Sequence, residues 1–193
     1  PDSGNQEKFA WALNWKAICF LRQGRSDSVS YYLDSCVSYC QTHDLPETEG
    51  KARLNQSINA HQMGGYEASA EMGMAALKRF EEIGDTLGTA HAYYNTALSY
   101  QRLERTENAL DFYQKALPIY LERGGILDRA NCLNAIGSIW NTRLQFDSAS
   151  YYFQAAIDVK MAVGAWYYCG SEFSNLASIY EKQGDSALAA DYY

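Results

Sequence analysis

The chain has 193 residues, 47% of them hydrophobic, and a formal net charge of −7. That is ample apolar material for a core, and an acidic balance argues against a nucleic-acid surface, which needs a basic face. No apolar run approaches the roughly 18 residues of a membrane-spanning helix, and no secretory leader is visible. Fourteen glycines and three prolines suit a mostly helical chain.

The first helical pair is expected over about residues 8–43. Its turn is Arg22-Gln23-Gly24-Arg25, with Ser26 or Asp27 to cap the second helix. Pro46 in the following linker suits a helix start. The second pair spans about 47–83 and turns at Met63-Gly64-Gly65-Tyr66. It is the least regular, with Ala60 and Gly73 where other copies carry bulk, which implies a cavity or a closer approach of neighbours. Ile83-Gly84-Asp85 reads as a helix end and then a cap for the next helix.

The third pair spans about 86–123. Pro118 falls inside its second helix, which is expected to kink and continue, because Ile119, Tyr120 and Leu121 keep the apolar pattern; termination near Leu117 is the alternative. Gly124-Gly125 and Val163-Gly164 set off a fourth pair at about 127–163 and a fifth at about 166–193. The fifth stops in mid-helix at Tyr193. Ends of helical arrays need polar caps, so residues 1–193 are expected to be a fragment of a longer polypeptide, one array with its last copy truncated and with apolar surface near Tyr192 and Tyr193.

These pairs are copies of one unit. In the stretch Ala90 to Leu117, small residues Ala97, Ala109 and Ala116 lie where two helices must approach closely. Shifted by 40 residues, the columns return as Ala17, Ser57, Ala97, Gly137, Ala177, as Val29, Ser69, Ala109, Ala149, Ala189, and as Cys36, Ala76, Ala116, Ala156. A bulky column reads Phe20, Ala60, Tyr100, Trp140, Tyr180. Repetition at such a period marks a solenoid.

The columns resemble the tetratricopeptide repeat, most closely in NAIGSIW (134–140) with FDSASYYFQAAI (146–157), then in 175–193. The common repeat is about 34 residues long; the longer period resembles the subclass found in kinesin light chains, spindle-orientation adaptors and bacterial peptide receptors and sensors. The resemblance implies an all-α, right-handed α-solenoid of about five hairpins whose first helices line a concave groove. It implies a non-catalytic domain that binds a protein or extended peptide there, without cofactor. The expected setting is the sensory or scaffolding segment of a larger bacterial regulator; a free-standing cytoplasmic adaptor and an accessory domain of an enzyme are the alternatives.

On that resemblance, positions two before the small column face the groove: Trp15, Asn55, Asn95, Ala135, Asn175. An amide offers a peptide group both donor and acceptor. Trp11, Asn14, Ile18, His91, Tyr94, Leu98, Arg102 and Asn134 complete the expected surface, which grades from an aromatic, apolar end toward a polar one. Trp11 and Trp15 are the expected anchor.

Chemistry is otherwise sparse. There is no phosphate-binding loop, dinucleotide fingerprint, HExxH or GxSxG. His61 and His91 stand roughly 15 Å out of step along neighbouring helices, too far to share a metal. Asn55-Gln56-Ser57 matches a glycosylation sequon, but on a helix. Five cysteines, an odd number, lean toward a reducing compartment, or a periplasmic one if the segment is a membrane regulator's sensor. Cys36 and Cys40 have the spacing of a redox or metal pair, but Cys36 sits in the small column, so packing accounts for it and no metal is expected.

Overall fold

The computed structural model describes residues 3–192, apart from the side chains of Ser3, Ser26 and Asp27. It contains ten α-helices and no strand among the described residues: α1 Ser3–Arg22, α2 Ser26–His43, α3 Pro46–Gln62, α4 Tyr66–Ile83, α5 Thr86–Arg102, α6 Thr106–Arg123, α7 Ile126–Thr142, α8 Phe146–Met161, α9 Gly170–Gln183 and α10 Ser186–Asp191. The helices follow one another as five hairpins of a helical-repeat fold. The chain forms two compact units, Pro1–Ala116 and Leu117–Tyr193.

The same turn closes every hairpin. A backbone N–H reaches back five residues, from Arg25, Gly65, Arg105, Gln145 and Asp185 to the carbonyls of Phe20, Ala60, Tyr100, Trp140 and Tyr180. This is the six-to-one bond of a helix that ends on a left-handed residue. That residue is Gly24, Gly64, Glu104, Leu144 or Gly184, each at positive φ and each 40 positions from the last. Three glycines take the conformation without strain; Glu104 and Leu144 hold a Cβ against it.

The small columns are where the helices touch. Ala97, Ala109 and Ala116 are wholly buried, as are Ala17, Cys36, Ala76, Ala149, Ala156 and Ala177. The second hairpin resolves its irregularity in both ways. At Gly73 neighbours close in: a Cβ there would meet Thr96 Oγ1 at 2.4 Å and Ser57 Oγ at 3.3 Å. At Ala60 the space stays open as part of a cleft.

Asp85 caps α5, its carboxylate accepting from the N–H of Gly88, and Gly84 ends α4 at φ 71°. Pro46 begins α3 as expected. Pro118 lies inside α6, which continues to Arg123. The expectation that Ser26 or Asp27 caps α2 falls on side chains outside the described residues; Arg25 stands at the N-cap and makes no side-chain cap bond.

The fifth hairpin departs from the expected start near Trp166. Residues Trp166–Tyr168 form a single 3-10 turn, and α9 begins only at Gly170. Lys160 braces this segment. Its buried ammonium donates to the Tyr168 carbonyl at 2.7 Å and to Glu172 Oε2 at 2.8 Å. The turn leaves Trp166, Tyr167 and Tyr168 exposed.

Candidate interaction surface

In the first unit α3 packs against both α1 and α5, so the first helices of three hairpins stand side by side. Trp11 and Trp15 lie one turn apart on α1, and their rings stack with centroids 5.5 Å apart and planes 9° from parallel. They are 54% and 48% exposed, which is unusual for the largest apolar side chain. Ile18, on the next turn, is half-buried.

Asn14 is not displayed with them. It is 6% exposed and accepts, through Oδ1, a 2.8 Å bond from Asn55 Nδ2 on α3. On α5, Asn95 Nδ2 donates to the His91 carbonyl at 2.8 Å. Tyr94 packs its ring against Tyr113, which is buried and donates its hydroxyl to Gln101 Oε1 at 2.9 Å. His91, Tyr94, Asn95 and Leu98 are half-buried, and Arg102 is exposed.

Behind this surface, Ser57, Ser69 and Ser99 form a buried hydroxyl cluster. Ser57 Oγ donates to the Ser69 carbonyl and Ser69 Oγ to the Ser57 carbonyl, both at 2.8 Å, and the Ser69 and Ser99 oxygens are 2.7 Å apart. The Ser57 of the sequon is therefore committed to packing. His61 Nδ1 lies 3.5 Å from Ser99 Oγ. Burial, seconded by the Arg102 charge, holds this imidazole below its ordinary pKa.

In the second unit, Asn134 on α7 and Asn175 on α9 are half-buried, and Asn175 Nδ2 donates to Asn134 Oδ1 at 3.4 Å. The expected groove residues thus fall into three kinds. Trp11, Trp15 and Arg102 are exposed; Ile18, His91, Tyr94, Asn95 and Leu98 are half-buried; Asn14 with Asn55, and Asn134 with Asn175, are paired to each other. Reading columns singly missed this pairing, because each bond joins one column to the neighbouring column of the next repeat, 41 residues on.

Four of the five thiols, Cys36, Cys40, Cys132 and Cys169, are buried packing groups. Cys36 and Cys40 sulfurs lie 4.0 Å apart, fully buried, and Cys36 Sγ donates to the Ala10 carbonyl at 3.3 Å. Their mutual hydrogen bond draws the Cys36 pKa down and pushes that of Cys40 up, where burial adds to the rise. Among the described residues, no three His, Cys, Asp or Glu side chains converge as metal ligands, and no helix is long and apolar enough to cross a membrane.

Hairpins stacked on small-residue columns define the class: a helical-repeat protein. The tetratricopeptide repeat family model matches residues 50–122, so over that stretch the chain is similar to this repeat. Among solved structures, the chain is similar to BtubC from P. vanneervenii, at 18% identity and a TM-score of 0.82 over 98% of this chain and 83% of that one. It is similar to the apo form of RapI at 17% identity and a TM-score of 0.85, over 95% of this chain and 67% of that one. A signal-transduction ATPase with a tetratricopeptide repeat sensor, from Pyrococcus horikoshii, shares 17% identity and a TM-score of 0.85 over 96% of this chain but only 28% of that one. At these identities the likeness is one of fold. No curated protein matches the sequence.

Proposed function

We propose that this chain is a non-catalytic tetratricopeptide domain that binds a protein or extended peptide on the first-helix surface of its first unit. The observation that carries this reading is the stacked, half-exposed pair Trp11–Trp15. Two indoles kept out of the core on one helix leave apolar area that a bound side chain would cover, and tryptophan is the residue most enriched at energetic centres of interfaces. Asn95 Oδ1 and its remaining N–H would pair with a ligand peptide group, and Arg102 would meet an acidic group. The similarity to a repeat described as the sensor of a larger ATPase supports a sensory or scaffolding segment within a longer regulator.

The experiment selects a peptide from a random display library and measures its affinity by calorimetry for wild type, Trp15→Ala and Asn95→Ala, with folding checked by circular dichroism. Trp15→Ala is expected to cost about 2 kcal/mol or more, and Asn95→Ala about 0.5–1.5 kcal/mol. Two folded variants that bind like wild type would move the site elsewhere on the protein.

A further inference from the structure

In this repeat two aromatic columns, 12 residues apart, normally fill the space beside each hairpin turn. Phe20 stacks on Tyr32 at 5.4 Å, Tyr100 meets Phe112 edge-on at 5.5 Å, and Tyr180 stacks on Tyr192 at 5.5 Å. Trp140 and Tyr152 hold the same columns in the fourth hairpin. Only the second hairpin lacks both rings: it has Ala60 and Met72. Where a ring pair would stand, the structure has a cleft of about 350 Å³, lined from α2, α3 and α4, with Leu33, Ala60, Met63 and Met72 as its apolar walls.

Two of the lining residues, Asn59 and Asp34, carry acceptor oxygens. Asn59 is 7% exposed, and its Nδ2 donates to Ser30 Oγ at 3.3 Å, yet its buried Oδ1 accepts no hydrogen bond. A buried carbonyl left without a donor costs free energy and marks a place where a donor is expected. Asp34 contributes a carboxylate, one oxygen of which takes a 2.7 Å bond from Gln56 Nε2. None of the nine lining residues is basic.

We propose that this cleft is a binding site for the side chain of an arginine on a partner protein. A guanidinium is flat, like the rings that fill the equivalent space in the other hairpins. It carries five donors and no acceptor, matching an orphan carbonyl and a carboxylate. Its aliphatic stem suits the thioether and leucine walls. The cleft is lined by neither Trp11 nor Trp15, so the site is separate from the proposed groove and does not rest on it.

The test uses the full 193-residue chain, labelled with 15N and with 13C-methyl methionine, titrated with N-acetyl-arginine amide and with the uncharged isostere N-acetyl-citrulline amide. The expected result is saturable shifts at the Asn59 side-chain amide and the Met63 and Met72 methyls with the arginine probe, and binding about tenfold weaker with citrulline, the scale of one charge-assisted hydrogen bond. Asp34→Asn should weaken the arginine probe by a similar factor, and Ala60→Tyr should abolish binding by restoring a ring. Trp15→Ala should leave it unchanged. No saturable shift at these groups, equal binding of citrulline, or undiminished binding by folded Asp34→Asn would each overturn the proposal. Asp34 is exposed, so that variant gives the decisive comparison if Ala60→Tyr does not fold.

Discussion

Asn55 hands a hydrogen to Asn14 at 2.8 Å, and 120 residues further on Asn175 does the same to Asn134. The bond joins the first helix of one hairpin to the first helix of the next. Between α3 and α5 the same columns hold Leu54 with Asn95, so no amide pair can form. Asn95 turns instead to the His91 carbonyl on its own helix.

Asn14→Ala should therefore lower stability even though it removes a polar side chain. The acceptor for Asn55 disappears, and a nearly buried site loses volume. The expected cost is about 1–2 kcal/mol, because Asn55 is half-buried and its amide can still reach water. Asn14→Asp keeps the acceptor and should lose less. Urea unfolding midpoints decide this; an unshifted midpoint for Asn14→Ala would mean the bridge contributes nothing.

Leu144→Gly should stabilise. Leu144 sits at φ 60° in the turn where three other hairpins use glycine, and its side chain is 69% exposed. Relief of the left-handed conformation outweighs the added entropy of the unfolded chain by about 1 kcal/mol. A rise in thermal midpoint is the readout, and Leu144→Ala, which keeps the Cβ, should not reproduce it.

Gly73→Ala should destabilise, against the usual preference of a helix for alanine. Its Cβ would fall 2.4 Å from the Oγ1 of Thr96, which is fully buried and cannot step aside. About 1–3 kcal/mol is expected from overpacking. Adding Thr96→Ala should recover part of the loss, since Thr96 Oγ1 makes no hydrogen bond to lose.

Acid should weaken the first unit through His61. Burial and Arg102 depress its folded pKa, so the folded chain binds this proton less readily than the unfolded chain. The stability it supports is present above the unfolded value of about 6.5 and is lost as pH falls from there toward the lower folded value. His61→Gln should flatten that part of the stability profile relative to wild type. Parallel profiles for the two proteins would show that His61 is not the group titrating.

The pair Lys160–Glu172 offers the largest expected effect. Both side chains are almost fully buried, at 4% and 1% exposure. Lys160→Met leaves the buried Glu172 without its ion-pair partner, at a cost of about 3–5 kcal/mol. Two repeats earlier the same columns hold Phe80 and Ala92. The double variant Lys160→Phe/Glu172→Ala should thus recover most of the loss, as measured by chemical denaturation. Recovery should also let the backbone at 166–169 enter a regular helix, visible as added helical circular dichroism.

The repeat was legible because steric demand is periodic: every helix contact needs a small residue, and Ala17, Ala97 and Ala177 recur without slippage. Turn positions were legible for the same reason, since Gly24, Gly64 and Gly184 mark the left-handed site. The late start of α9 was not legible. There Lys160 reaches a carbonyl and a carboxylate that lie on different elements, and neither has a periodic signature. The Asn14–Asn55 and Asn134–Asn175 bridges were half legible: the amides are visible as columns, but a hydrogen bond joins two columns, and each column alone points to a ligand. At Ala60 and Gly73 the missing bulk was plain, while the choice between open space and close approach rests on whether neighbours can move in. Thr96 and Ser57 did so; Leu33 and Met72 did not.

The distribution of sulfur makes the protein its own reporter. Cys19 is exposed on α1, one turn from Trp15, whereas Cys36, Cys40, Cys132 and Cys169 are sealed. Burial alone pushes the Cys132 thiol up to about 12, which suppresses the thiolate that reacts with alkylating agents. A maleimide dye should thus attach selectively at Cys19 while the chain is folded, placing a fluorophore beside the stacked indoles. The remaining thiols become reactive only when their own segment opens. The order in which they are alkylated would rank the first, fourth and fifth hairpins by local opening, without introducing a single substitution.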